Sequence, residues 1–265
     1  MISAEKILAF QKKILDRYEE NKRTWLPRRD SFDGYKVLVS EVMLQQTQVD
    51  RVVPKFERFM NAAPTMKVLS ELDNKTLLSL WSWLWFNSRA VRLQQSAQII
   101  LKEYWWVLPN NRDELLALPW IWAYCSASLL AFVYNIPAPV VDTNIRRVFI
   151  HELWVDEKTP QKWLEAIAFA VTPEWCANDW NNALMDYWSL VATVAATWIK
   201  PTSKQSTFAW SKRQVRWNII KRLVAHWATS QKELSMKFAH KEFDTIVEWL
   251  LTEGLVKKDW GLLHL

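Results

Sequence analysis

Apolar residues recur at intervals of three and four along most of the chain, a spacing that gathers them on one face of an α-helix. Helices are expected over Ala4–Glu20, Tyr35–Val49, Val52–Asn61, Met66–Glu71, Asn74–Trp81, Ser88–Tyr104, Arg112–Leu118, Ala123–Tyr134, Thr143–Leu153, Thr159–Val171 and Asp179–Thr197. Pro27, Pro64, Pro109, Pro119, Pro137, Pro139, Pro160 and Pro201 fall mostly before or between these stretches, where helices start and linkers run. The segment Ala123–Tyr134 is apolar nearly all round, which predicts a central buried helix. Beyond a polar linker, Pro201–Thr207, the character changes. A basic helix is expected over Ser211–Trp227, and a short one to about Phe238 opens with a capping box, Ser230 and Glu233. A third runs over Lys241–Leu251 and stops at Gly254, and Leu255–His264 reads as a hairpin. Three helices and a hairpin predict a winged-helix-like module, a type that docks on nucleic acid or protein.

Charge and composition add three things. At 265 residues the chain has room for one large or two modest domains with real cores. Its net charge of +6 is local: from Lys200 to Lys232 there are eight Lys or Arg and no Asp or Glu. That run favours a polyanion partner, with a solvated basic surface as the alternative. No stretch approaches a membrane span, the first helix is charged, and Cys125 and Cys176 offer neither a disulfide framework nor metal-ligand spacing. A cytoplasmic protein without metal or membrane partner is therefore expected. Glycine is the anomaly. The chain has 3 Gly and 19 Trp, where a usual share of about 7% would supply roughly 19 glycines. Tryptophan is thus expected in places where a chain turn needs glycine.

Two carboxylates suggest chemistry. In Ser40–Val49, Glu41 sits inside an apolar helix that runs into the amides Gln45, Gln46 and Gln48. An acid wedged there loses hydration, which favours its neutral form and suits a general acid near neutral pH. The alternative is a Glu at the edge of an amphipathic face with its head in water. Asp142, at the entry to the helix from Thr143, reads as an N-cap, and the helix dipole is expected to lower its pKa and keep it ionised. A protonated acid and a charged carboxylate form the pairing that breaks a glycosidic bond. Between them, Glu114–Tyr124 gives a short helix, a four-residue turn and the buried helix. This resembles the helix-hairpin-helix element, Leu-Pro-Gly-apolar-Gly, whose turn amides bind a DNA phosphate; here Trp120 and Trp122 stand at the two glycines, around Ile121 and before Ala123.

With these residues in hand, the chain resembles the A/G-mismatch adenine DNA glycosylases of the helix-hairpin-helix superfamily. The resemblance spans about residues 25–200 and is carried by Ser40–Val49 with Pro54–Phe59, and by Val140–Arg147. It implies an all-α, two-lobed glycosylase domain over 1–206, with 30–134 as the central helical lobe and 1–29 with 135–206 as the second. A winged-helix-like domain would follow over 207–265. It implies that Glu41 protonates adenine, that Asp142 stabilises the oxocarbenium ion, and that Asn144 orients it. Gln46, with Gln45 beside it and Phe86, would enter the base stack. Arg89, Arg92, Arg146 and Arg147 are candidate phosphate contacts, ordinary surface Arg being the alternative; Trp120–Ala123, Lys212 and Arg213 complete the expected DNA-binding set. Tyr124 stands where bifunctional relatives carry a lyase Lys, and Tyr forms no Schiff base, so a monofunctional enzyme is implied. Its partner would be double-stranded DNA with a mismatched adenine, in a bacterial-type, nucleoid-associated monomer.

The chain departs from the family in three ways. Ser189–Trp210 holds none of the four Cys of the family's iron–sulfur region, so no cofactor is expected. The usual module that recognises 8-oxoguanine is replaced by the basic segment, though Phe208–Arg216 resembles the tail of some short members. Trp83, Trp85, Trp106, Trp120, Trp122, Trp188, Trp210 and Trp217 stand where relatives commonly carry Gly. Left-handed backbone penalises any Cβ by roughly 1–2 kcal/mol, so weak duplex binding and poor folding are expected. Three readings compete with adenine removal: a thymine glycosylase acting on G:T mismatches, a non-catalytic DNA-binding protein working through its C-terminal module, and an inert chain that keeps only the family's sequence.

Overall fold

The computed structural model describes residues 2–24, 26, 29, 32–81, 84, 86–191, 193–199 and 207–265. Trp83 and Trp85, Pro27, and all of the Pro201–Thr207 linker except Thr207 lie outside the described residues. In chain order the elements are α1 (Ala4–Asn21), α2 (Gly34–Leu44), α3 (Val49–Ala62), α4 (Met66–Glu71), α5 (Asn74–Trp81), α6 (Ser88–Glu103), α7 (Arg112–Ala117), α8 (Ala123–Tyr134), α9 (Thr143–Leu153), α10 (Gln161–Val171), α11 (Ala177–Leu190) and α12 (Val194–Thr197). The C-terminal module adds α13 (Lys212–Ala225), β1 (Ala228–Ser230), α14 (Gln231–Lys237), α15 (Phe243–Thr252), β2 (Lys257–Asp259) and β3 (Leu262–His264).

The chain divides into two compact units. One holds Met1–Glu41 and Leu108–Lys204, the other Val42–Val107 and Gln205–Leu265. The expected second lobe, 1–29 with 135–206, is likewise discontinuous; the cuts fall after Glu41 and after Val107 in place of residues 29 and 134, and residues 205–265 share a unit with Val42–Val107. Contacts distant in sequence draw these borders, and periodicity is blind to them.

The first unit forms around α8, buried from Cys125 to Phe132. Phe10, Ile14 and Tyr18 line one stripe of α1, four residues apart, and turn it onto α11. Phe10 meets Trp180 edge-on at 5.4 Å and Phe149 at 6.4 Å. Asp186 in α11 is buried and accepts two parallel bonds from Arg29, both 2.8 Å, plus one of 2.5 Å from Arg23 Nε. Burial alone would raise this carboxyl, but the two guanidiniums hold it below the usual range. α8 ends at Asn135, left-handed at φ 54 and tied through its side chain to the Trp175 carbonyl and the Asn178 amide.

In the second unit α3 packs on α5, and α4 on α6, with Phe59 edge-on to Trp81 at 5.9 Å. The C-terminal module has its three helices around Val215, Ile219, Leu223, Leu234, Ile246 and Leu250. The sheet order is β1-β3-β2, antiparallel, with Leu263 opposite both Thr229 and Lys258. Ser230 accepts from the Glu233 amide at 3.1 Å, the N-cap half of the expected capping box, while the Glu233 carboxylate pairs with Arg222 at 3.0 Å. This is the winged-helix topology, with one strand, β1, that the sequence pattern did not indicate.

Several expected helices are shorter than their patterns. Residues 45–48 leave α2 as a turn; Thr159 and Pro160 precede α10; and the helix expected over Asp179–Thr197 stops at Leu190 and resumes only over Val194–Thr197. Tryptophan explains several turns. Trp105, Trp106, Trp120, Trp154, Trp198, Trp210 and Trp260 all have φ between 52 and 73, the conformation that Gly254 and Gly261 also adopt. Trp154 closes α9, its amide bonded to the Phe149 carbonyl, in the position glycine usually fills. Trp260 and Gly261 form the two-residue loop of the β2–β3 hairpin, both at positive φ. Of the glycine sites inferred by resemblance, Trp106, Trp120 and Trp210 are left-handed. Trp122 is extended at φ −101, and Trp188 and Trp217 lie inside α11 and α13. Those three carry no left-handed strain.

Candidate active site and nucleic-acid interface

Asp142 follows an extended proline-bounded stretch and caps α9. One carboxylate oxygen accepts from the Asn144 and Ile145 amides at 2.8 Å each, and the other from the Asn144 side chain at 2.9 Å. Asn144 Oδ1 in turn accepts from Arg147 at 3.1 Å. These donors and the Arg147 charge favour the anion. Burial outweighs them, so the Asp142 carboxyl lies above its ordinary value. The lowering expected from the helix dipole alone is overturned, because desolvation of the half-buried acid is the larger effect.

Tyr124, one residue into α8, lines the same cavity as Asp142, about 500 Å³ in volume. Val141, Thr143, Arg146, Glu157, Thr159, Gln161 and Leu164 complete its described wall. The last four lie in or after the α9–α10 connection, where no pattern marks them; only the return of the chain brings them to Asp142. Glu41 is not among these lining residues. It is 3% exposed on α2, between buried Ser40 and Val42, and belongs to the same unit as Asp142. The alternative of a water-facing Glu is thereby removed.

The hairpin has the expected outline. α7 ends at Ala117, the Ile121 amide bonds to the Leu118 carbonyl at 3.2 Å, and α8 starts after Trp122. Ile121 is buried, whereas Trp122 is 64% exposed and Ala123 is open. The two indoles lean together, centroids 5.0 Å apart at 46°.

The amides and arginines stand differently from expectation. Gln46 is exposed and left-handed at φ 55, in a turn closed by the Thr47 amide on the Leu44 carbonyl, 3.2 Å. Phe86 is also left-handed, φ 50. Arg89 is not at the surface: at 2% exposure it donates to the carbonyls of Val42, Met43, Gln45 and Leu84 and to the Thr47 hydroxyl. Burial pushes its guanidinium down to about 10. Arg89 therefore caps α2 and fastens the Gln45–Thr47 turn to the Phe86 loop, and a phosphate contact through it is excluded by its burial. Arg146 and Arg147 are buried too, donating to the carbonyls of Glu157 and Ile199. Lys212 is ion-paired with Glu242 and lies 5.0 Å over the Trp249 ring, while Arg213 sits 5.8 Å over Phe86.

The model of the HhH-GPD superfamily of base excision DNA repair proteins matches residues 39–173. The adenine DNA glycosylase of Mycolicibacterium smegmatis is 34% identical over 182 residues, covering 68% of this chain and 62% of that protein. That of Buchnera aphidicola subsp. Baizongia pistaciae is 32% identical over 186 residues, 69% of this chain and 53% of its own. The chain thus spans between half and two thirds of these relatives' length. Among solved structures, a thermostable thymine-DNA glycosylase superposes with TM-score 0.65 at 22% identity, over 71% of this chain and 88% of that one. A non-covalent endonuclease III–DNA complex gives TM-score 0.65 at 15% identity, over 76% and 91%. These likenesses establish an all-α helix-hairpin-helix glycosylase fold.

Proposed function

We propose that this chain, which belongs to the HhH-GPD superfamily of base excision DNA repair proteins, removes adenine mispaired with guanine or 8-oxoguanine from double-stranded DNA and leaves an abasic site. The observation that carries this reading is the burial of Glu41 in an apolar helix of the same unit that holds Asp142. The named activity of relatives 32% and 34% identical supports it.

In this mechanism the duplex bends, Gln46 and Phe86 enter the stack, and the adenine rotates out towards Glu41. Glu41 gives its proton to the base as the glycosidic bond breaks with its electron pair to adenine. The ionised form of Asp142, which the Asn144 and Ile145 amides and the Arg147 charge favour against the cost of burial, stabilises the sugar cation until water adds at its anomeric carbon and loses a proton. Tyr124 offers no amine, so no covalent adduct with the sugar forms there. The hairpin amides from Trp120 to Ala123 would receive a phosphate, with the two indoles obstructing the approach.

Single-turnover excision on A:G, A:8-oxoguanine and T:G duplexes tests the reading. Release of adenine from the first two supports it; release of thymine alone would replace it with the thymine-glycosylase reading. Asp142→Asn is expected to lower excision at least a thousandfold while leaving duplex affinity within about twofold; undiminished turnover removes Asp142 from the role.

A further inference from the structure

Phe86 is the meeting point of two cations in the second unit. The guanidinium carbons of Arg89 and Arg213 each lie 5.8 Å from its ring centroid. Arg89 is immobilised by five acceptors, so its side of the arrangement is fixed by the end of α2. Arg213 comes from the other end of the chain, in the first turn of α13. Its neighbours on that helix are committed to the C-terminal module: Lys212 to Glu242, Arg216 to Glu253, and Arg222 to Glu233. Arg213 lies over the ring of a residue held in left-handed backbone. A bulky residue at positive φ is held there only by its surroundings, and a cation over an aromatic face is worth about as much as that strain.

We propose that Arg213 is a positioning residue through which the C-terminal module holds the Phe86 loop ready to enter the base stack. The basic run at the start of the module then works on the loop, and a phosphate contact through Arg213 would have to give up the ring. The proposal rests on the repair reading only in taking Phe86 as a residue that enters DNA; the clamp itself is a property of the free protein.

The test uses Arg213→Gln and Arg213→Lys in the full chain. In free protein, hydrogen exchange at the Phe86, Asn87 and Ser88 amides is expected to quicken several-fold with Gln and less with Lys, which keeps the charge but not the planar group. On a duplex carrying 2-aminopurine at the mispaired position, Gln is expected to lose at least half the fluorescence rise on binding. The slope of log affinity against log salt should stay unchanged. A slope smaller by about one, with exchange and fluorescence as in the parent, would make Arg213 a phosphate contact and overturn the proposal. Unchanged exchange in both variants would overturn it as well. A parent chain that binds duplex but releases no adenine defeats the repair reading while leaving the exchange result to decide the clamp.

Discussion

Tryptophan in left-handed backbone sets the energetics at the residue scale. Each of the seven such positions among the described residues bears a Cβ where the following carbonyl crowds it, at roughly 1–2 kcal/mol apiece. The indoles of Trp105, Trp154, Trp198, Trp210 and Trp260 are almost fully exposed and return little by burial. Their sum is comparable with an ordinary stability margin of about 5–15 kcal/mol. Trp154→Gly is expected to raise unfolding free energy by about 1 kcal/mol. Trp188→Gly, inside α11, should lower it by about 1 kcal/mol or more. Urea denaturation of both variants checks this, and gains of equal size would remove the conformational account. Asp142 supplies a second case. Its folded pKa is raised, so its contribution to stability is present below the ordinary carboxylate range and is lost as pH rises through the folded value. Asp142→Asn should therefore melt higher than the parent at pH 7, with the gap closing towards pH 3. A gap that does not vary with pH would contradict the burial argument.

Ion pairs and caps decide what happens at the scale of elements. α2 stops at Leu44 although its pattern continues, because Arg89 takes the carbonyls that another helical turn would have used. Arg89→Gln is expected to cost about 2–4 kcal/mol, since it leaves several buried carbonyls unmet. A loss under 0.5 kcal/mol by chemical denaturation would show that the turn holds itself. On α13, the pairing of Lys212 with Glu242 makes the basic run less available than its count of charges suggests. Glu242→Gln should release Lys212 and tighten duplex binding several-fold at low salt, converging with the parent above about 0.5 M, where screening is strong. Tightening that persists at high salt would require another cause.

Across the whole molecule, each compact unit closes a long stretch of chain with buried arginine chemistry. In the first, Asp186 receives Arg23 and Arg29 and so ties the stretch after α1 to α11. Its folded pKa is depressed, so this contribution is present above the unfolded value and disappears as pH falls through the folded one. Asp186→Asn is expected to cost about 3 kcal/mol near neutrality, because it strands the buried Arg29 guanidinium and a partly exposed Arg23. The variant's acid limb should also be flatter than the parent's when unfolding is followed from pH 7 to pH 3. A parent-like acid limb would place the acid sensitivity elsewhere.

Local periodicity and capping determined, from sequence alone, the spans of α4, α5, α8 and α9, the N-cap at Ser230 and the hairpin at Leu118–Ala123. Those depend on neighbours a turn or so away, which a sequence displays directly. The shortage of glycine was equally legible, but not which indoles bear the strain: Trp105, Trp154, Trp198 and Trp260 joined the set, while Trp122, Trp188 and Trp217 left it. Partners far away in the chain made the remaining choices. They buried Arg89 as a cap, raised the Asp142 carboxyl, supplied Glu157, Thr159 and Gln161 to its cavity, and gave β1 a strand to pair with. Desolvation and hydrogen-bond partnership are properties of assembled space, so only the tertiary structure could decide them.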